Sequence, residues 1–119
     1  MEIILAYLLI VDQVENRESK EDFAGPESFY LDQNYPNPFC PGTVIRYQIP
    51  HTGHATLRIY NVIGQLIASI EDKHLTAGAF EASWDGRDEF GIKVPSGVYF
   101  YVLALDELEL SKRKMILIR

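Results

Sequence analysis

Thr43-Val44-Ile45-Arg46-Tyr47-Gln48-Ile49-Pro50-His51-Thr52-Gly53-His54-Ala55-Thr56-Leu57-Arg58-Ile59-Tyr60 holds two stretches of strict alternation separated by a proline and a glycine. Side chains on a strand point to opposite faces in turn. Ile45, Tyr47 and Ile49 therefore share one face and Val44, Arg46 and Gln48 the other. In the second stretch Ala55, Leu57 and Ile59 line one face, opposite Thr56, Arg58 and Tyr60. A period of two with one apolar face predicts half-buried strands. Pro50 ends the first strand because it has no N–H to give to a ladder, and His51-Thr52-Gly53 reads as a hairpin turn into the second.

The same grammar continues downstream. Asn61 to Gly64 makes a tight connection, with Gly64 free to take positive φ. A strand over 65–70 follows, whose inward face stays unassigned because Leu66, Ile67, Ala68 and Ile70 do not alternate. Phe80, Ala82 and Trp84 share a face, which predicts Trp84 as a core anchor with its indole N–H satisfied. Asp85 to Gly91 is a loop. Gly97 to Leu105 is apolar on both faces, the pattern of a central strand covered on both sides. Asp106 to Glu109 turns the chain into a last strand over Leu110 to Ile118. Upstream, Asn34-Tyr35-Pro36-Asn37-Pro38-Phe39-Cys40-Pro41-Gly42-Thr43 cannot be helix or central strand, since proline fixes φ and removes a donor. It reads as a rigid, extended lead-in. About seven short strands at roughly 8–12-residue intervals, with no helical period, predict an all-β fold, an immunoglobulin-like antiparallel β-sandwich. A small barrel is the main alternative.

With 119 residues and 47% hydrophobic content, the chain supports one domain with a real core. The net charge of -6 argues against a phosphate-neutralising surface, so nucleic acid is not an expected partner. Residues 1–11 carry an apolar run, Ile3 to Val11, too short to span a bilayer and without a basic segment before it or a small-residue cleavage pattern after it. It reads as the end of a preceding domain, with no stable membrane insertion. Residues 12–27 form a charged linker containing Glu15-Asn16-Arg17-Glu18-Ser19-Lys20-Glu21-Asp22 and closing on Gly25-Pro26. The sandwich occupies 28–119.

Catalytic, cofactor and metal chemistry find no support in the sequence. Cys40 is the single cysteine, so no intramolecular disulfide or thiolate metal cage is possible, and without a neighbouring cation it reads as an inert packing residue. Asp85, Asp88 and Glu89 form an acidic loop, but Arg87 stands at the third position of a calcium-loop template and no glutamate closes it. Side-chain-to-backbone turns explain these aspartates better. His51 and His54 flank the turn with no carboxylate near them, and His74 reads as isolated in another loop. Seven tyrosines and one tryptophan could build a sugar- or protein-binding platform. Most fall at strand positions where the rings cap the core and the hydroxyls reach water. The chain is not expected to be an enzyme.

Six motifs occur in the order found in one family. Phe29-Tyr30-Leu31-Asp32-Gln33-Asn34-Tyr35-Pro36-Asn37-Pro38-Phe39, continued by Pro41, resembles the opening of the type A C-terminal sorting domain of the type IX secretion system. Thr43 to Pro50 is similar to its first regular strand, and Leu57-Arg58-Ile59-Tyr60-Asn61-Val62-Ile63-Gly64-Gln65 to its strand-turn signature. Trp84-Asp85-Gly86-Arg87-Asp88 and Ser96-Gly97-Val98-Tyr99-Phe100-Tyr101 resemble the later motifs, and Lys114-Met115-Ile116-Leu117-Ile118-Arg119 the closing strand. Cys40 stands where the family usually has Asn, and Gly42 where it has a small polar residue; Pro41 still stiffens the bend.

The resemblance implies an export address rather than a catalyst. Its implied partners are the outer-membrane secretion machinery, a sortase-like peptidase and a covalently attached upstream cargo, with export through the periplasm to the cell surface or beyond. Lys112, Arg113, Lys114, Met115, Ile116, Leu117, Ile118 and Arg119 are then the candidate recognition strand, read by edge pairing and charge. Cargo implies a longer exported protein, and a sorting domain should end soon after its last strand, as the sequence does at Arg119. The immunoglobulin-like domain of flagellar hook-capping proteins is closely similar and would make the module an assembly scaffold. An accessory carbohydrate-binding or adhesion module is the third reading.

Overall fold

Alternation in the sequence becomes alternation in burial. Ile45, Tyr47 and Ile49 are fully buried, whereas Val44 and Arg46 are exposed. Their strand belongs to a computed structural model that describes residues 28–119, and the expectations for residues 1–27 lie outside it. Seven strands follow in chain order: β1 (Tyr30–Leu31), β2 (Thr43–Ile49), β3 (Gly53–Tyr60), β4 (Leu66–Leu75), β5 (Gly78–Trp84), β6 (Gly97–Leu105) and β7 (Leu108–Leu117). All strand pairs are antiparallel. They form a three-stranded sheet, β1-β2-β5, and a four-stranded sheet, β4-β3-β6-β7. The expected immunoglobulin-like sandwich is therefore present as two sheets, with no helix among the described residues.

The core lies between the sheets. Ile45, Tyr47 and Ile49 of β2, Leu57 and Ile59 of β3, Tyr101 and Leu103 of β6, and Met115 and Leu117 of β7 are all fully buried in one cluster. At one end Trp84 of β5 bridges the layers. Its ring meets Tyr99 of β6 edge-on at 5.5 Å between centroids and Phe39 at 5.7 Å, and its indole N–H donates to the Arg87 carbonyl at 2.9 Å. Edge-on aromatic contacts of this kind add to the stabilisation from buried area.

Four expectations need correction. The link from Ile49 to Gly53 is not a hairpin, because β2 pairs with β5 and β3 with β4 and β6. Pro50 cannot extend a ladder, and the chain crosses there from one sheet to the other, stacking the two apolar faces. β4 runs to Leu75 rather than ending at Ile70, and it is bulged twice. Leu57 faces Glu71 but Arg58 faces Ser69, and Ile59 faces Ala68 but Tyr60 faces Leu66. Ile70 and Ile67 are thus extra residues, and each bulge resets the two-residue period. β6 is central, as expected, but it is not covered on both sides. Tyr99, Tyr101, Leu103 and Leu105 are buried, while Val98, Phe100, Val102 and Ala104 on the outer face are only half-buried.

β7 begins earlier than expected. Asp106 and Glu107, both at positive φ, form a two-residue turn between Leu105 and Leu108. Turns of this length with both residues left-handed match the twist of the flanking strands.

Candidate functional site

The lead-in begins as a rung on β2. The Asp32 N–H donates to the Arg46 carbonyl at 2.9 Å, and Tyr35 and Val44 exchange two backbone bonds, each 2.9 Å. Asn34, 2% exposed, organises the turn-off. Its Nδ2 donates to the Pro36 carbonyl and to Thr43 Oγ1, both at 3.0 Å, and Thr43 Oγ1 donates in turn to the Pro36 carbonyl at 2.9 Å. The Asn34 N–H donates to the Tyr101 hydroxyl at 2.9 Å, which donates onward to the Asp32 carbonyl at 2.7 Å.

The chain then crosses to the other sheet. The Phe39 N–H donates to the Ile116 carbonyl and the Ile118 N–H to the Phe39 carbonyl, both at 3.0 Å, while Asn37 Oδ1 accepts from the Ile116 N–H at 3.0 Å. Gln33 Nε2 donates to the Lys114 carbonyl at 2.7 Å. The segment is therefore a bent clasp over one side of the sandwich and not an extended lead-in; the bonds preceding Pro36, Pro38 and Pro41 are cis.

This clasp divides the candidate recognition strand. Met115 and Leu117 are fully buried and Ile116 half-buried, whereas Lys112, Arg113, Lys114, Ile118 and Arg119 are exposed. Arg113 Nε donates to the Leu31 carbonyl. Arg119 is anchored at three points: its N–H to Ser96 Oγ at 2.8 Å, Nε to the Val94 carbonyl at 2.6 Å and Nη2 to the Gly86 carbonyl at 2.6 Å. The outer edge of β7 is occupied by Gln33, Asn37 and Phe39 between Lys114 and Ile118. A partner pairing with that edge would have to displace them.

The remaining signature residues serve the same end of the fold. Gly86 has φ +78, and a Cβ there would lie 2.8 Å from Arg119 Nη2 and 3.2 Å from the Pro41 carbonyl oxygen. Gly64, at φ +87, closes the turn in which Asn61 Oδ1 accepts from the Ile63 and Gln65 N–H groups. Gly97 opens β6 opposite Leu117, and Tyr60 faces Phe100 on the outer surface.

The tyrosine hydroxyls in the core do not reach water. Tyr99 donates to the Pro95 carbonyl at 2.7 Å and Tyr101 to Asp32, while Tyr47 Oη is buried without a hydrogen-bond partner among the described residues. Burial pushes the Tyr101 phenol up to about 12, with the Asn34 N–H and Arg113 pulling back and Asp32 adding to the rise. Burial raises Tyr99 against the pull of Arg119. For Tyr47 burial dominates, and Glu71 is close enough to oppose ionisation further without a hydrogen bond of good geometry.

Other sequence expectations meet different surroundings. Cys40 is exposed rather than packed, because the clasp turns it outward between the buried Phe39 and the bend at Pro41. His54 does have a carboxylate: Nε2 lies 2.5 Å from Asp72 Oδ1, and His74 lies on β4 directly across from it. Strand register, not sequence spacing, creates the His54–Asp72 contact. In the acidic loop Asp85 Oδ1 accepts from the Arg87 N–H at 3.1 Å, and Asp88 Oδ1 accepts from the Phe90 and Ile92 N–H groups at 2.9 and 3.0 Å. Among the described residues no three His, Cys, Asp or Glu side chains converge as a metal cage would require. A cleft of ≈ 760 Å³ opens between the β4 and β5 edges, lined by Ser69, Ile70, Ser83, Trp84, Asp88 and Glu89 among others. The sequence carried no signal for it, since it arises where two sheet edges come together.

Two sheets, a clasped terminal strand and aspartates engaged by backbone define a non-disulfide immunoglobulin-like module. The chain belongs to the FlgD Ig-like domain family, whose model matches residues 43–107. No curated protein matches the sequence. Among solved structures, latent dimeric PorU of Porphyromonas gingivalis is similar at 21% identity with a TM-score of 0.62, over 81% of this chain and 10% of that one. PorZ of the same organism, an essential bacterial surface component of the type IX secretion system, is similar at 23% identity with a TM-score of 0.50, over 87% of this chain and 12% of that one. FlgD of Xanthomonas campestris, a protein of hook capping in flagellar assembly, is similar at 16% identity with a TM-score of 0.52, over 84% of this chain and 74% of that one. The chain thus spans about a tenth of the PorU and PorZ chains, and at these identities the likeness is one of fold.

Proposed function

We propose that the sandwich is a non-catalytic sorting module that directs an attached upstream cargo through the type IX secretion machinery to the cell surface. The observation that carries this reading is the coupling of its two distinctive ends. The Asn34 to Pro41 lead-in and the basic strand from Lys112 to Arg119 both lie outside the residues matched by the FlgD Ig-like model, and they are bonded to each other through Asn37, Phe39 and Ile116. A scaffold domain needs only the sandwich, whereas an address needs a defined presentation of its signal. The clasp holds Lys112 and Lys114 outward on a strand fixed by buried Met115 and Leu117, while Arg113 between them ties to Leu31. The partners are the outer-membrane translocation machinery and a sortase-like peptidase, and no cofactor takes part.

The test appends the whole chain to a periplasmic reporter in a bacterium that has this secretion system. The reporter should reach the surface, and Lys112→Glu with Lys114→Glu should retain it in the periplasm. Retention of the unaltered fusion, under conditions in which an established sorting domain exports the same reporter, overturns the proposal. The second reading, a hook-capping scaffold domain, is favoured by the family match and by the coverage of three-quarters of the FlgD chain. It predicts no export by the fusion.

A further inference from the structure

The outer face of the four-stranded sheet is apolar at its centre and basic at its rim. Phe100 is half-buried there, with Tyr60 across from it on β3 and Lys114 across from it on β7. Lys112 Nζ sits 5.8 Å from the centre of the Phe100 ring, and Arg58 and Lys112 flank Val102 from the two neighbouring strands. Half-buried Ile116 lies beside them, across from Val98. Asp72 and Glu109 on the same sheet are placed further along, across from Thr56 and Ala104. An antiparallel sheet commonly leaves one face to solvent, but such a face usually reads as polar.

The chemistry that complements this surface stands in the same chain. Residues 1–27 contain seven acidic and two basic residues, a net charge of -5 out of -6 for the whole chain. Their apolar residues are concentrated in Ile3 to Val11, directly before the acidic run. The 16 residues from Asp12 to Glu27 can reach about 50 Å when extended. They join the sandwich beside the right edge, since β1 follows immediately and Arg113 of β7 donates to the Leu31 carbonyl.

We propose that residues 3–22 dock on this face, Ile3 to Val11 covering Tyr60, Phe100 and Ile116 and the acidic run meeting Arg58, Lys112 and Lys114. The apolar contact removes exposed ring and aliphatic surface from water, and opposite charge fixes the orientation. The inference does not depend on the sorting role; an export partner that reads Lys112 and Lys114 would have to displace the docked segment.

The test is hydrogen exchange on the 119-residue chain, read peptide by peptide. Amides of Ile3 to Val11 should exchange at least about tenfold slower than an unprotected segment. Lys112→Glu with Lys114→Glu should abolish that protection while β3 and β6 stay protected. Adding Glu18→Lys, Glu21→Lys and Asp22→Lys to that variant should restore it. The three acidic-run substitutions alone should also abolish it, and they alter no residue of the sandwich, so they decide the matter if the β7 variant fails to fold. Free exchange of Ile3 to Val11 in the unaltered chain overturns the proposal, as does protection indifferent to either set of charge reversals. Protection that grows with protein concentration also overturns it, because the occupant is then a second copy.

Discussion

Arg119 Nη2 lies 2.6 Å from the carbonyl oxygen of Gly86, and the same guanidinium reaches Val94 through Nε at 2.6 Å. One side chain just past the end of β7 thus ties together the two ends of the loop after Trp84. Hydrogen bonds from a charged donor to partly buried carbonyls are worth more than neutral ones. Arg119→Ala should cost about 2–3 kcal/mol in urea unfolding. Gly86→Ala should cost about 1–3 kcal/mol, from its positive φ and from the Cβ placed against Nη2. The double variant should fall short of the sum, because both act on one contact. Strict additivity would show that the Arg119 bond to Gly86 is absent in solution.

Asn34 is the joint between lead-in and sandwich, and its Nδ2 satisfies the Pro36 carbonyl and Thr43 Oγ1 together. Asn34→Ala leaves these groups with fewer donors and opens a small void, so a loss of about 2 kcal/mol is expected. The accompanying signature is faster hydrogen exchange at Phe39 and Ile118, which bond only if the clasp is closed. Unchanged exchange at those two amides would detach Asn34 from the clasp.

What the chain betrays in one dimension is its local period. Ile45, Tyr47 and Ile49 could be placed inside from alternation alone, and Trp84 from its strand phase. Alternation says nothing about which sheet a strand joins, so the crossing at Pro50 reads like a hairpin. Bulges at Ile67 and Ile70 erase the period of β4 where it would have been needed. The site was legible as a set of motifs but not as a clasp. The bonds of Asn37 and Gln33 to β7 span some 80 positions, a separation that no local pattern encodes. For the same reason His54 and Asp72 meet by register, unseen from spacing.

Alkaline pH should unfold the domain. Tyr101 carries a phenol raised from 10.0 to about 12, and Tyr47 and Tyr99 are raised as well. Below about pH 10 both folded and unfolded chains keep these protons, and stability is level. Between about pH 10 and about 12 the unfolded chain releases them and the folded chain does not, so stability falls as pH rises. Tyrosinate absorbance from the buried rings should therefore rise only together with loss of the β-sheet circular dichroism. Smooth titration of all rings with the sheet signal intact would contradict the burial described.

Tyr47 offers the opposite case, a buried hydroxyl with Glu71 nearby but no hydrogen bond of good geometry among the described residues. Desolvating a hydroxyl without a compensating bond opposes folding. The ring itself packs against Phe80 at 5.8 Å and lies between Ile45 and Ile49 on the core face of β2. Tyr47→Phe keeps that packing and removes the orphaned oxygen, along with its unfavourable closeness to Glu71 at high pH. Urea unfolding at neutral pH should show stability unchanged or raised by up to about 1 kcal/mol, and the alkaline transition should move to higher pH. Tyr101→Phe is the control, since it deletes a hydroxyl with two backbone partners and should lose about 1–2 kcal/mol. A comparable loss in Tyr47→Phe would mean that its hydroxyl finds a partner in solution, with Glu71 the first side chain to examine.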